Sequence, residues 1–319
     1  MKDKDIIEIV KDDKEFKKHL PIFGAKEFLQ SRSSEYGWFV SGGAVLPFYI
    51  DRRGVFSKLV FTNETTVLNE GIDEAAFLNG VVKKAKELNV DMIAQPLASV
   101  VFKNVPNEAK SIEWGSYVVD LIQSEDEILQ NMHSKHRNVI RKAIKDGVEV
   151  KETKDIGIVY ENLKETMQRL NRDYPSFEEL EKLKSFSKFY IAIKDGIVQG
   201  SAVLPYNSHS SFYLYGGSIA RPYTGSLNYM HYFAMLEMKK IGVKKYDFMG
   251  ARVNVKKGSK LEGIQRFKSR FGGELKRGFL WKYIYKPYKV NMIYTIQKIR
   301  YSLKGQKYLG DAIDQESGR

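Results

Sequence analysis

The chain has 319 residues, enough for two domains that each bury a core of their own. It has no cysteine, which excludes disulfides, thiolate catalysis and cysteine-ligated zinc. Its 52 lysines and arginines against 39 acidic residues leave a net charge of +13, which favours RNA, nucleotide phosphates or an anionic membrane face, and is equally what a surface of solvated lysines gives.

The opening Met1-Lys2-Asp3-Lys4-Asp5 has no apolar core for a signal peptide, and no stretch approaches the ~18 apolar residues of a membrane span. A cytoplasmic protein is expected, with the inner face of the membrane as a site of contact. From Tyr36 the chain alternates apolar segments and turns: Tyr36–Val40, Ala44–Ile50 and Val55–Phe61, a three-stranded meander. Asp73 opens an amphipathic helix to about Leu88, ended by Asn89, and residues 90–94 form a short strand. Ser124-Glu125-Asp126-Glu127 is a capping box that opens the next helix.

His133-Ser134-Lys135-His136 then leads into a dense basic run. Lys135, Arg137, Arg141, Lys142 and Lys145 line one helix face, which reads equally as a solvated face and as a phosphate- or RNA-binding one. Ile140, Ile144 and Met132 are expected to point to a core. His133 and His136 are expected at the surface, since no carboxylate cluster stands near them to complete a metal site. No metal site is expected.

The first order of elements then recurs. Lys188–Ile193 is a strand, Asp195-Gly196 a hairpin turn, Ile197–Tyr206 a returning strand, and Ser211–Ser218 a third. A helix from Leu227 to Ile241 places Leu227, Met230, Ala234, Met238 and Ile241 on one face, and Lys244–Phe248 is the closing strand. Asp195 lies 153 residues after Gly42, and Lys244 lies 154 after Val90. Meander, helix, strand, repeated at that interval, implies a duplicated α+β domain. Domain boundaries are expected at residues 1–123 with 282–319, and at 124–281. In the tail, Tyr283, Tyr285, Tyr288, Tyr294 and Tyr301 stand among basic residues. Packing through Ile293, Ile296 and Ile299 is favoured there over a membrane surface or RNA.

The repeated unit resembles the core of the GNAT acyltransferase fold, and the fold class expected is two tandem GNAT-like domains. GNAT enzymes that use an acyl-CoA hold its pyrophosphate with a glycine-rich loop at a helix N-terminus. Here Ser218–Leu227 offers one glycine past Gly217, and Asn69-Glu70-Gly71-Ile72-Asp73-Glu74 is acidic. Neither is suited to CoA, and weak or no acetyl-CoA binding is expected. Behind the last strand, Phe267-Lys268 precedes Gly272-Gly273. A lysine ammonium can stabilise the oxyanion of an acyl transfer, and an adjacent aromatic can hold the reacting end.

Three blocks are similar to the Fem family of tRNA-dependent peptidyl transferases. They are Ser134-Lys135-x-Arg137-Asn138-x-Ile140-Arg141-Lys142-Ala143 with Asp146-Gly147-Val148, Phe212–Ser218 with Tyr246–Gly250, and Gly263-Ile264-x-x-Phe267-Lys268-x-x-Phe271-Gly272. The resemblance runs from about Phe28 to about Trp281. It implies transfer of an amino acid from aminoacyl-tRNA, the co-substrate in place of a cofactor, to an amine of a peptidoglycan precursor. That acceptor is a UDP-MurNAc-peptide or its lipid-linked form. It implies Lys268 and Phe267 as the catalytic pair, and Tyr213 or Tyr215 at the substrate; Asp247 is read beside them as a substrate-binding residue and as an option for the general base, which is not otherwise evident. Arg32 and Arg169, with Arg172 as a near alternative to the latter, would hold precursor phosphates in one cleft. Thr62-Asn63-Glu64 and Gln95-Pro96 depart from the family's pattern at its acceptor site. The competing reading is a GNAT-type N-acyltransferase that moves an acyl group from CoA to an amino sugar or lipid amine.

Overall fold

The computed structural model describes residues 6–317, so the polar opening Met1–Asp5 lies outside the described residues. The fold is mixed α+β and divides into two compact units. One comprises the chain up to Gly115, Gly250–Asn254 and the chain from Arg277; the other comprises Ser116–Met249 and Val255–Lys276.

In the first unit, β1 (Glu8–Val10) follows the opening residues and α1 (Lys26–Arg32) precedes the meander of β2 (Tyr36–Ser41), β3 (Ala44–Arg53) and β4 (Phe56–Phe61). Neighbouring strands are antiparallel, with Phe39 opposite Leu46 and Phe48 opposite Phe61. A short β5 (Thr66–Val67) pairs with the start of β3. α2 (Glu74–Ala85) starts at Asp73, whose carboxylate accepts the Ala76 N–H, and ends in a 3₁₀ turn at Asn89, which adopts φ 51°. Its inward residues Phe77, Leu78, Val81, Val82 and Ala85 lie at helical spacing and meet Phe39, Phe48 and Phe61 of the meander in one core. β6 (Met92–Ile93) adds in parallel to β4.

After β7 (Lys110–Asp120), the second unit opens with α3 (Glu125–Asn131), where Ser124 and Glu127 form the reciprocal capping box. The helix stops at Met132, and α4 (Ser134–Lys145) begins anew with His133 as its cap. Its inward residues are His136, Ile140 and Ala143, a seam at i, i+4 and i+7. His136 is therefore buried, against expectation, because it occupies the first core position of the helix. Ile144 is exposed, also against expectation, because it falls on the solvent side of the seam set by His136, Ile140 and Ala143. Met132 and Ile140 are buried as expected.

β8 (Glu149–Glu152), α5 (Ile156–Arg169) and α6 (Phe177–Glu181) lead to a hairpin of β9 (Ser187–Lys194) and β10 (Ile197–Pro205). Asp195 and Gly196 both have positive φ, the type I′ geometry whose twist matches the strands. The third strand expected at Ser211–Ser218 breaks in two. β11 (Ser211–Phe212) runs parallel to β13 (Lys245–Asp247), whereas β12 (Tyr215–Ser218) stays antiparallel to β10. At the break, the Tyr213 N–H donates to Asp247 O (2.8 Å) and the Leu214 N–H to Val203 O (3.1 Å). The chain thus changes partner within two residues, and the sheet splays there. Between β12 and β13 in sequence, α7 (Ser226–Lys240) buries Met230, Ala234, Met235 and Met238 on β9 and β10; Ile241, past its end, is exposed. β14 (Ala251–Arg252) belongs to the first unit, and α8 (Lys260–Ser269) completes the second.

β15 (Glu274–Ile284) pairs antiparallel with β6 through Tyr283 and Ile284, and buries Leu280 and Trp281 in the first unit's core. α9 (Pro287–Ser302) and α10 (Ala312–Ser317) follow. The expectation that α9 packs through Ile296 and Ile299 does not hold: both are half exposed, and Val290, on the opposite side, is buried. The internal repeat is plain in the elements. β10 starts at Ile197, 153 residues after β3 at Ala44, and β13 starts at Lys245, 153 after β6 at Met92.

The start of α7 is shut by its neighbour. Gly225 caps the helix at φ 87°, and a methyl group there would stand 2.2 Å from the Val139 carbonyl oxygen of α4. At Gly196, with φ 76°, a methyl group would meet nothing within 4 Å. Gly196→Ala is therefore expected to cost about 1–2 kcal/mol, the conformational term alone. Gly225→Ala is expected to cost about 2–5 kcal/mol, because overpacking adds to it. Chemical denaturation of the two variants checks this; equal losses would mean that the α4–α7 contact is loose.

Candidate functional site

The candidate site lies in the second unit, where α8 meets β13. Ser259 caps α8 by accepting the Glu262 N–H, and the Glu262 carboxylate in turn accepts the Gly258 N–H (2.6 Å). Past the helix, Gly272 and Gly273 let the backbone lie against Asn131 and Val118, where side chains would stand within 3 Å of backbone oxygens. The His133 N–H closes onto Arg270 O (2.9 Å). The last turn of α8 is thereby held, and with it Phe267 and Lys268.

The Lys268 ammonium donates to the Met249 carbonyl. Burial pushes its pKa down to about 8, and the Asp247 carboxylate opposes that shift. Asp247, at the end of β13, accepts from the Ser116 hydroxyl (2.5 Å) and from the Met249 N–H (2.6 Å). Met249 itself has φ 53°, which turns its carbonyl towards Lys268. A carboxylate, a carbonyl and an ammonium therefore meet where β13 ends.

Aromatic rings surround them. Phe267 lies 5.1 Å from Phe271 and 5.7 Å from His231, centroid to centroid, and Phe248 stacks on Phe271 at 4.8 Å. His231, on the inward face of α7, is buried, with Nδ1 2.8 Å from the Tyr246 hydroxyl and its ring edge-on to Tyr213 at 4.4 Å. Burial and, after it, the Lys268 charge lower its pKa to about 3. His136 places Nε2 3.0 Å from Phe267 O; burial lowers its pKa to about 4, with Arg270 and His133 adding to the effect and the Phe267 carbonyl opposing it. Both imidazoles are neutral at pH 7. As a neutral ring, His136 donates Nε2–H to the Phe267 carbonyl and so fixes the backbone beside Lys268. Burial raises Tyr213 to about 12, and its hydroxyl covers Gly216, where a side chain would collide with it.

Lys268, Phe267, Tyr213 and Asp247 are thus gathered in one place. Tyr215 sits on β12 opposite Val203. Arg169, the last residue of α5, donates to Ser218 O (2.9 Å) and pairs with Glu165 (3.2 Å). Thr166, one turn earlier, bonds both the N–H and the carbonyl of the same Ser218. Arg169 therefore fastens α5 to the edge of β12. In the first unit, Arg32 ends α1 with its guanidinium over the Tyr49 ring at 5.9 Å.

The basic face of α4 is in part consumed by the fold. Arg137 donates to Gln130 O (2.8 Å) and Met132 O (2.5 Å), capping the end of α3, and Lys142 pairs with Asp146 at 2.6 Å. Lys135 and Arg141 remain exposed. Arg137 and Arg141 line a cleft of about 360 Å³ together with Asp126, whose charge weakens it as an anion site.

Sequence reasoning missed His231, His136 and Ser116. The signal for His231 was present: it stands at i+4 from Leu227 and i−4 from Met235, within the apolar stripe of α7. For Ser116 there was none, because its partner Asp247 lies 131 residues away.

The FemAB family model matches residues 159–296. The structure is similar to a crystal structure of FemX (TM-score 0.66, 15% identity, 90% of this chain and 99% of that one). It is also similar to a conserved protein of unknown function from Bacteroides thetaiotaomicron (TM-score 0.54, 12% identity, 88% and 100%). A third match is the C-terminal DUF2156 domain of a putative lysylphosphatidylglycerol synthetase from Agrobacterium fabrum (TM-score 0.52, 14% identity, 81% and 86%). No curated protein matches the sequence.

The two buried histidines make stability depend on pH. An ordinary imidazole titrates at 6.5, so below that pH the unfolded chain takes up protons that the native chain refuses. Stability is expected to fall as pH drops from about 6.5 towards 4, with His231 alone contributing about 2 kcal/mol of loss by about pH 5. Urea midpoints near neutral and acid pH measure this. His231→Phe is expected to flatten the difference; an unchanged slope in that variant would place the acid sensitivity elsewhere.

Proposed function

We propose that this chain, which matches the FemAB family model over residues 159–296 and is similar in fold to FemX, is an acyltransferase that moves an amino acid from aminoacyl-tRNA to an amine of a peptidoglycan precursor. One observation carries this reading: Lys268, the lysine of the Phe-Lys motif, presents its ammonium among aromatic rings beside Asp247 and the Met249 carbonyl.

The chemistry needs little else from the protein. The acceptor amine attacks the carbonyl carbon of the aminoacyl ester and forms a tetrahedral oxyanion. The Lys268 ammonium lies in surroundings of low polarity, where its charge acts on that oxyanion more strongly than it would in water. The intermediate collapses with cleavage of the bond to the 3′ ribose oxygen; Lys268 offsets the negative charge that builds on that oxygen, and the proton that the amine releases ends on it as the 3′ hydroxyl. The nucleophile is the substrate's own nitrogen, so no serine or cysteine is required. Asp247 holds Lys268 in place, and Phe267 and Tyr213 shape the apolar wall against the aminoacyl group. Tyr215, Arg32 and Arg169 are assigned to the precursor, the arginines to its phosphates, with the main-chain bond of Arg169 to Ser218 exchanged or shared on binding. Lys135, Arg137, Arg141 and Lys142 are assigned to the tRNA backbone, where Arg141 and Lys135 contribute most because they are exposed.

The acyl-CoA alternative is disfavoured by the two helix starts. α7 begins against the Val139 carbonyl, which leaves its N-terminus closed to a diphosphate. α2 begins with the Asp73 carboxylate accepting the Ala76 N–H, and with Glu70 and Glu74 near it in sequence.

Lys268→Met is expected to lower turnover by roughly 100- to 1,000-fold, about 3 kcal/mol, with precursor binding and melting temperature retained. The assay offers charged tRNA or acyl-CoA with candidate acceptor amines. Near-normal turnover in the variant would remove Lys268 from the reaction, and transfer from acyl-CoA alone would select the other donor. The ammonium is the working form, so kcat is expected to fall as pH rises through about 8. A rate that stays level to about pH 10 would mean that the lysine is not the group in use.

A further inference from the structure

α9 is apolar on two sides, and only one of them is covered. Val290 is buried, and Tyr294 and Tyr301 turn the same way, their rings against Tyr308. The first turn is tied down by ions. Lys289 and Lys286 reach the buried Asp91 carboxylate at 2.9 and 3.2 Å; burial alone would raise that carboxyl, but the two ammonium groups and Ser57 bring it to about 2. Lys282, fully buried, joins the Tyr294 hydroxyl, Asp311 and Asp314 beneath the helix. The helix is held firmly by its inner face.

The opposite face carries Tyr288, Met292, Ile296, Ile299 and Leu303, which are between 47% and 91% exposed. Their spacing of 4, 4, 3 and 4 residues sets them in one straight stripe, about 24 Å long at 1.5 Å per residue. Lys298, Arg300, Lys304 and Lys307 are exposed beside it or just beyond its end. No acidic residue stands between Glu274 and Asp311. A stripe of aliphatic side chains bordered by cations and free of carboxylates matches one surface in both respects. Acyl chains accept the apolar groups, lipid phosphates pair with the cations, and a tyrosine lies at the boundary. RNA would satisfy the cations alone and leave the stripe in water.

We propose that α9 is a membrane-docking helix that lies in the interface of an anionic bilayer through Tyr288, Met292, Ile296, Ile299 and Leu303. No described helix is long and apolar enough to cross a membrane, so the attachment is peripheral and reversible. It does not depend on which amine is the acyl acceptor.

Flotation of the full chain with vesicles tests this, using phosphatidylglycerol mixed with phosphatidylcholine, phosphatidylcholine alone, and transfer RNA as a separate probe. The protein is expected to float with the anionic vesicles and to be released by salt. Ile296→Gln with Ile299→Gln is expected to weaken that binding by roughly tenfold or more, through lost apolar burial. Lys298→Gln with Arg300→Gln and Lys304→Gln is expected to weaken it by roughly tenfold or more through lost attraction. Both variants should melt as the parent does, because every altered side chain is exposed. Failure of the parent to float, flotation indifferent to either variant, binding to transfer RNA with none to vesicles, or a lowered melting temperature showing that the stripe is packed would each overturn the proposal.

Discussion

A lysine ammonium keeps its charge among aromatic rings only if the hydration it loses is replaced by fixed acceptors. That requirement governs the second unit. The acceptors are the Met249 carbonyl and the nearby Asp247 carboxylate, both at the end of β13. Asp247 is in turn held by Ser116 from the strand beside it and by the Met249 N–H. Displacing β13 along β7 by one residue would turn Asp247 to the other face and leave Lys268 without its counter-charge. The register of that pair, Asp247 opposite Val118, is therefore as much part of the site as the lysine. The ammonium that results is held back from full stabilisation, with a pKa lowered to about 8 by burial.

The same economy is visible in the histidines. His231 and His136 are large polar groups in a packed core, and each is tolerated because it has a hydrogen-bond partner: the Tyr246 hydroxyl for one, the Phe267 carbonyl for the other. Both face the end of α8. One braces the backbone beside Lys268, and the other lines the aromatic wall. Their neutrality matters, since a second cation so close would repel the first.

The two halves share an order of elements and differ at the start of the helix that follows the meander. In the first, α2 starts in a nest of carboxylates; in the second, α7 starts beneath the backbone of α4. One helix start is crowded by negative charge and the other by backbone. What the second half retains is the splay. β11 and β12 part at Tyr213, and the rings that gather at that opening belong to the same cluster as Phe267.

Much of this could be read from the amino acids alone. Local chemistry determined the meander, the Asp195-Gly196 turn, the caps at Asp73 and Ser124 and the Phe-Lys motif, because each depends on neighbours within a few positions, and the repeat at about 153 residues followed from finding the same local signals twice. Three matters were decided only by tertiary packing. His136 went inward because it falls on the seam that α4 buries, while Ile144 stayed out because it falls to the solvent side of that seam. The strand at Ser211–Ser218 broke because β13 and β10 compete for it from opposite sides. Arg137, Lys142 and Arg169, read as ligands for phosphate, first serve the fold by capping α3, closing α4 and tying α5 to Ser218, since a long cation bonds whatever acceptor lies within reach. The residue types set what each group could do; which partner it found was settled by contacts far apart in the chain, and periodicity and spacing carry no record of those.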